Sequence, residues 1–400
     1  MLKKLLFLLS LLSCLHCQSQ TRTRNTASYK FSADIRRQEQ RGEMGANQFA
    51  AWDYSYIGQY QTALQTWDGP GQKLRPVSAA DSLAFGALRP VDAREYILQR
   101  ARTERMIIIN EAHHNPRHRV FTASLLPKLA RLGFRYFAVE GLDAQDSLLN
   151  QRGYPTLKTG YYTKEPQFAH LLRTARQTGF QLVPYDYGFA HESDPAAGIL
   201  ARETAQARNI HRMLQADPTA KIVVHCGFSH ANEGPNGMYT QMAMAGHLRK
   251  LTGLDPFTID QTVLTESGTP GGEYACYRLA KAPTSSVFLD ARQRAFGAAG
   301  SQMSVDLHVF HPRTTYRSGR PEWVYSAGRQ PVAVAKPAKM GFPCLILAYT
   351  LAENTADAIP VDIVELQGPD DRKALALAKG QYLLIAKDPA GNTQTWTLSN

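Results

Sequence analysis

Met106-Ile-Ile-Ile-Asn-Glu-Ala-His-His-Asn-Pro-Arg-His118 is the stretch on which the fold turns. Four apolar residues, three of them β-branched, end abruptly in Glu111 and the pair His113-His114. An unbroken β-branched run reads as a strand buried on both faces, as in a parallel sheet covered by helices. Asn115-Pro116 then breaks the strand and opens a helix, because proline is tolerated in a first helical turn. Glu111, His113 and His114 therefore fall just past the carboxyl end of a central strand. In open α/β sheets, ligands bind at that edge.

Outward from this stretch the pattern is regular. Asp92 caps a preceding helix, and Arg117 to Leu132 carries Val120, Leu125, Leu129 and Leu132 at helical spacing before Gly133. Pro127 inside it predicts a kink or break. Tyr136 to Leu142, Phe180 to Tyr187, Ala220 to His225 and Pro256 to Asp260 read as further strands. Helices are expected between them at Gln167 to Thr178, Ile199 to Gln215 and Met238 to Leu251. Strand and helix alternating over short links predict an α/β fold, mainly a parallel sheet flanked by helices. The runs Ser285 to Asp290 and Met303 to Pro312 are expected to complete that sheet.

The ends differ from this core. Residues 1–17 have a basic start (Lys3, Lys4) and a short apolar stretch, the pattern of an export signal. Leu11-Leu12-Ser13-Cys14 looks like a lipobox, which would make Cys14 lipidated; cleavage near Cys17 or Gln20 is the alternative. Residues 18–90 read as a polar tether with some helix late in it, followed by an N-terminal helical hairpin, Asn47 to Ile57 and Gln59 to Trp67. The hairpin resembles one tetratricopeptide unit, but a single copy makes no solenoid, so an aromatic cap on the main domain is expected. The α/β domain spans 91–320. Residues 321–400 contain short strands and turns that read as a small C-terminal all-β domain, sandwich-like.

Composition excludes several classes. Hydrophobic content of 44% and charged content of 20% are those of a globular chain. Its five cysteines leave Cys226, Cys276 and Cys344 after the leader, an odd set without metal-type spacing. A net charge of +11 is spread along the chain without an aromatic-interleaved basic stripe, so no nucleic-acid partner is expected. Membrane attachment is expected only through the lipid anchor. The oligomeric state is not legible.

The chemistry collects at the ends of the parallel strands. The first gives Glu111, His113 and His114, the second Glu140, the third Asp186 with Tyr185 and Tyr187, the fourth His225 and His230, the fifth Asp260. Asp260 reads as a turn cap. Imidazoles with adjacent carboxylates suit water activation; the same groups suit a divalent metal. No His-Glu-x-x-His and no Gly-x-Ser-x-Gly is present. Cys226 adjoins His225, but neighbouring strand residues point to opposite faces, which argues against a dyad. His118, Arg119, His211 and His247 are expected to be surface or packing residues. The loop from Gly153 to Pro166, with Tyr161 and Tyr162, could close over a substrate.

Asn110-Glu111-Ala112-His113-His114-Asn115-Pro116, then Glu140, then Gly227-Phe228-Ser229-His230, resemble the motifs of a superfamily. It contains the erythromycin esterases, the ChaN-like haem-binding lipoproteins and the TraB/TIKI-type proteins. The resemblance covers roughly residues 90 to 265. The esterase pattern implies water activation by Glu111, His114 and His230 without a cofactor, with Glu140 holding a histidine or substrate. The TIKI-like pattern implies a metal on His113, His114, His230 or Glu140; the ChaN-like pattern implies haem on His113. Asn110 stands where glycine is usual, and the doubled histidine leaves open whether His113 or His114 is the working residue. Asp186, Tyr187, His225, Tyr161 and Tyr162 are expected at the substrate. The expectation is an exported hydrolase of an ester, lactone or amide from a small molecule or peptide. The alternative is a haem- or metal-binding envelope lipoprotein.

Overall fold

The computed structural model describes residues 24–70, 73–74, 76–186, 194–234, 242–297, 304–334, 337 and 340–400. The export signal, Cys14 and Tyr187 lie outside them.

Six strands form the central sheet: β1 (Met106–Glu111), β2 (Tyr136–Val139), β3 (Gln181–Pro184), β4 (Ile222–Gly227), β5 (Phe257–Asp260) and β6 (Leu307–His308). Their order is β3-β2-β4-β1-β5-β6, and every pairing is parallel. β1 lies in the interior and is buried along its whole length, as its isoleucine run predicts. Each fully buried isoleucine contributes about 1.5–3 kcal/mol.

The pleat divides the core in two. Ile107, Ile109, Val139 and Val223 face the helices Arg117–Arg131 and Pro166–Gln177. Met106, Ile108, Ala138, Val224 and Cys226 face Pro195–Ala216 and Met244–Thr252. Arg117–Arg131 runs through Pro127 without a break. A proline in a helix removes one backbone N–H bond, and here the buried stripe Leu125, Leu126 and Leu129 holds the helix together across it.

One sheet expectation is corrected. β6 does join the sheet beside β5, but Ser286–Leu289 pairs antiparallel with Arg89–Asp92 in a separate ribbon. The C-terminal unit is a four-stranded antiparallel sheet of β7 (Cys344–Thr350), β8 (Asp362–Leu366), β9 (Gln381–Lys387) and β10 (Thr393–Ser399), in the order β8-β7-β9-β10. A two-stranded ribbon of Gln330–Val332 and Leu375–Leu377 lies against it. One face (Cys344, Ile346, Ala348) packs beneath the short ribbon strand Leu375–Leu377. The other (Leu345, Leu347, Tyr349) is covered by the N-terminal segment.

That segment carries the helix Ser32–Glu39 and the hairpin Ala46–Tyr56 and Tyr60–Asp68. Tyr29, Phe31, Ile35, Trp52, Tyr54 and Tyr56 are buried with β7 and β9. Residues 24–35 thus pack against the sheet where a polar tether was expected, and 36–45 are mostly exposed. Their polar residues had hidden three core side chains.

Candidate active site

Alternation along β1 puts Glu111 on the face of Ile107 and Ile109, beneath the two helices that cover it. There it meets Arg119, fully buried in the Arg117–Arg131 helix. Arg119 Nη2 donates to Glu111 Oε1 at 2.8 Å, Nε donates to Oε2, and Nη1 donates to Glu165 Oε2 at 3.0 Å. His113 donates from Nδ1 to Glu111 Oε1 at 2.9 Å. Burial pushes the Glu111 carboxyl up, but the Arg119 charge and the hydrogen bonds from His113 and Arg119 hold it well below the usual carboxylate range. An ionised carboxylate only accepts, so His113 Nδ1 carries a proton and, in the neutral ring, Nε2 carries the lone pair.

Gly227 stands opposite Glu111 in the β1–β4 register. A Cβ there would lie 2.6 Å from His113 Nε2 and 3.1 Å from Glu140 Oε2. The imidazole and the second carboxylate therefore converge over bare backbone. Glu140, just past β2, accepts from the Gly227 N–H and from Arg202 Nη2 at 2.5 Å, and lies 3.5 Å from His230 Nε2. Burial raises this carboxyl too, but the charges of His230 and Arg202 hold it well below its usual range. His230 donates from Nδ1 to Glu203 Oε2 at 2.8 Å. Burial favours its neutral form; the flanking charges of Glu140 and Glu203 prevail and push its pKa up to about 10. Arg202 continues to Asp186 at 3.1 Å, and Gln206 donates to Asp186 Oδ1 at 2.7 Å. The cluster is wettest here: the Arg202 and Asp186 side chains keep 28% and 22% of their accessibility, against 2% for Glu111.

Aromatic rings wall the other side. His113 stacks on Tyr162 with centroids 4.0 Å apart, and Trp52 meets both rings edge-on. Tyr161 is exposed at the lip. His114 stacks instead on Trp67, 4.1 Å away, and Phe228 extends that stack. Burial, then the neighbouring His118, His113 and Arg119, hold His114 well below the usual histidine range, and its Nδ1 has no hydrogen-bond partner among the described residues. Phe228 adopts φ +43°, rare for a ring side chain. Its carbonyl accepts from Asn110 Nδ2 at 2.7 Å, and the same nitrogen donates to Asp260 Oδ1 at 2.7 Å. Asn110, where glycine was the usual residue, thus ties the ends of β1, β4 and β5 together.

The structure brings Glu111, His113, Glu140, His230, Asp186 and Tyr162 into one cluster. Of the doubled histidines, His113 faces both carboxylates, and His114 does not. His225 is corrected from a substrate contact: only 1% exposed, it lies under Glu111 with Nε2 3.3 Å from Oε2, against Phe137 and Phe168. Asp260 caps a turn through the Thr262 and Val263 N–H groups. Cys226 points away into the opposite core, as alternation required.

Sequence reasoning missed Arg119, Glu203, Arg202, Trp52 and Trp67. Two had a signal. Arg119 prolongs the stripe Thr122, Ala123, Leu126, and Glu203 prolongs Gln206, Ala207, Ile210; a charge on an apolar stripe at helical spacing is buried and must be paired. Arg119, expected at a surface or in packing, joins two carboxylates.

A divalent metal does not fit this donor set. Both oxygens of Glu111 face a guanidinium, Glu140 faces another, and both His230 nitrogens point at carboxylates. Among the described residues no three His, Cys, Asp or Glu side chains converge as a metal site would need. Haem requires an imidazole nitrogen open to a macrocycle. His113 and His114 are buried, with their faces against Tyr162 and Trp67.

No family model matches the chain, and no curated protein does. Among solved structures it is similar to the type III effector HopBA1, at 17% identity and TM-score 0.30, over 39% of this chain and 82% of that one. It is similar to RRSP, a MARTX toxin effector domain from Vibrio vulnificus CMCP6, at 16% identity and TM-score 0.32, over 58% and 44%. The C-terminal region of Pasteurella multocida toxin, described as holding a thiol-protease like catalytic triad, matches at 13% identity and TM-score 0.33, over 51% and 30%. The chain spans less than half the length of the last two.

Proposed function

We propose that this chain is a hydrolase of ester, lactone or amide bonds in which the Glu111–His113 pair activates water. One observation carries the reading: a buried, ionised glutamate fixes His113 Nδ1, leaving Nε2 over the Gly227 backbone beside Glu140, which His230 and Arg202 flank. In this reading Nε2 takes a proton from water as its oxygen bonds to the substrate carbonyl carbon. Glu111 stabilises the imidazolium that forms. Collapse breaks the bond to the leaving oxygen or nitrogen, and His113 returns the proton to it. His113 thereby takes the role first assigned to His114, and His230 is a fixed cation instead of a base.

The resemblance to the erythromycin esterase, ChaN-like and TraB/TIKI superfamily supports this reading on motif order. The leader in residues 1–17 supports an exported, envelope location. No helix among the described residues is long and apolar enough to cross a membrane. The test is a panel of chromogenic esters, lactones and anilides against the purified mature chain, with and without chelator, alongside metal analysis and a haem titration. Chelator-resistant turnover supports the proposal. A stoichiometric metal required for turnover, or a Soret band on haem addition without turnover, replaces it with the metal or haem reading.

A further inference from the structure

Glu165 lies outside every motif of the site, at the end of the tyrosine loop, yet it is fully buried. Its Oε2 does two jobs. It accepts the Phe168 N–H at 2.7 Å, capping the Pro166–Gln177 helix, and it accepts Arg119 Nη1 at 3.0 Å. The Arg119 guanidinium lies over the Phe168 ring at 4.6 Å, and its Nη2 also donates to the His113 carbonyl at 3.0 Å. Arg119 is thus held on three sides, and Glu165 supplies the charged one opposite Glu111.

We infer that Glu165 is a positioning residue for the Glu111–His113 pair, acting through Arg119. The inference rests on the reading of that pair as the water-activating one. Two consequences follow from the geometry. Glu165 fixes the guanidinium that grips both Glu111 oxygens, and so fixes the carboxylate that orients His113. It also shares the guanidinium's charge. Burial pushes the Glu165 carboxyl up, and the Arg119 charge with the Gln167 and Phe168 N–H groups draws it back only in part. The other charged or titratable neighbours stay in place: Tyr29, Tyr60 and Arg329 near Glu165, His225 under Glu111, and Glu140, Tyr162 and His114 near His113.

The test uses the full chain with E165Q, whose amide oxygen still caps the helix, and E165D, which keeps the charge on a shorter arm. The first readout needs no substrate: the His113 Nδ1–H proton resonance in histidine-labelled protein and its exchange rate with water. E165Q is expected to move that resonance upfield and quicken its exchange, with E165D in between. The second readout is turnover, where E165Q is expected to lower kcat on the order of 10-fold with KM unchanged, as outer partners of a site histidine do. An unchanged His113 resonance in both variants overturns the inference, and if E165Q does not fold, E165D alone decides it by the same resonance. A shifted resonance in a protein that hydrolyses nothing upholds the positioning role and removes the hydrolase reading.

Discussion

A Cβ on Gly227 would lie 2.5 Å from His113 Cε1, so the strand opposite Glu111 has no room for any side chain while the imidazole holds its place. G227A must push His113 off its seat. Overpacking of this kind costs about 1–3 kcal/mol. The functional loss should be larger than the loss of stability, because a displacement of about 1 Å at a reacting group costs about 10²-fold in rate. Melting temperature and kcat measured side by side check this; a G227A protein with wild-type kcat would contradict the placement of His113.

The doubled histidine separates by function. H113N should lose about 10²–10⁴ in kcat, the usual worth of a general base. H114N, which loses only the stack on Trp67, should stay within about tenfold of wild type. Steady-state kinetics on any accepted ester decide it, and the reverse order would return the working role to His114.

Arg119 stands between two buried carboxylates, 0% exposed itself, with Glu111 and Glu165 at 2% or less. Removing it leaves both without their cation. R119A is expected to destabilise by about 3–5 kcal/mol, the cost of breaking a buried pair from one side. A urea midpoint unchanged from wild type would show that Arg119 lies nearer the surface than described.

The proton on His230 gives a stability term of known sign. The charges of Glu140 and Glu203 raise its pKa to about 10 against the opposing effect of burial, above the roughly 6.5 of an unfolded histidine. A group with a raised folded pKa stabilises fully below its unfolded value and loses that contribution as pH climbs toward the folded one. Melting temperature should therefore decline from pH 6.5 to 10 more steeply in wild type than in H230Q. Parallel curves would mean that His230 is not held protonated.

Trp52, 5% exposed, touches His113, Tyr161 and Tyr162 while packed among core residues of the C-terminal unit. W52A should cost about 3–5 kcal/mol and lower turnover as well. Loss of neither would detach the N-terminal hairpin from the site.

Those tryptophans show where sequence reading stops. β1 and the carboxyl-end residues Glu111, Glu140 and His230 were legible because alternation and strand ends are local properties, readable within a few residues. Which histidine of the pair faces the carboxylates was not, because that depends on Gly227, over a hundred residues away. Arg202, Trp52 and Trp67 reach the site from helices whose packing faces follow from the sheet order, which local patterns do not encode. Residues 24–35 misled for another reason: Tyr29, Phe31 and Ile35 are sparse among polar neighbours, yet all three are buried.

The central claim is that Glu111 makes His113 a base for water, and E111Q tests it most directly, since the amide keeps the shape and removes the charge. Initial rates of ester hydrolysis, compared between wild type and E111Q protein of matched fold by circular dichroism, should fall by about 10² or more. An E111Q enzyme that hydrolyses the same ester at the wild-type rate would contradict the account.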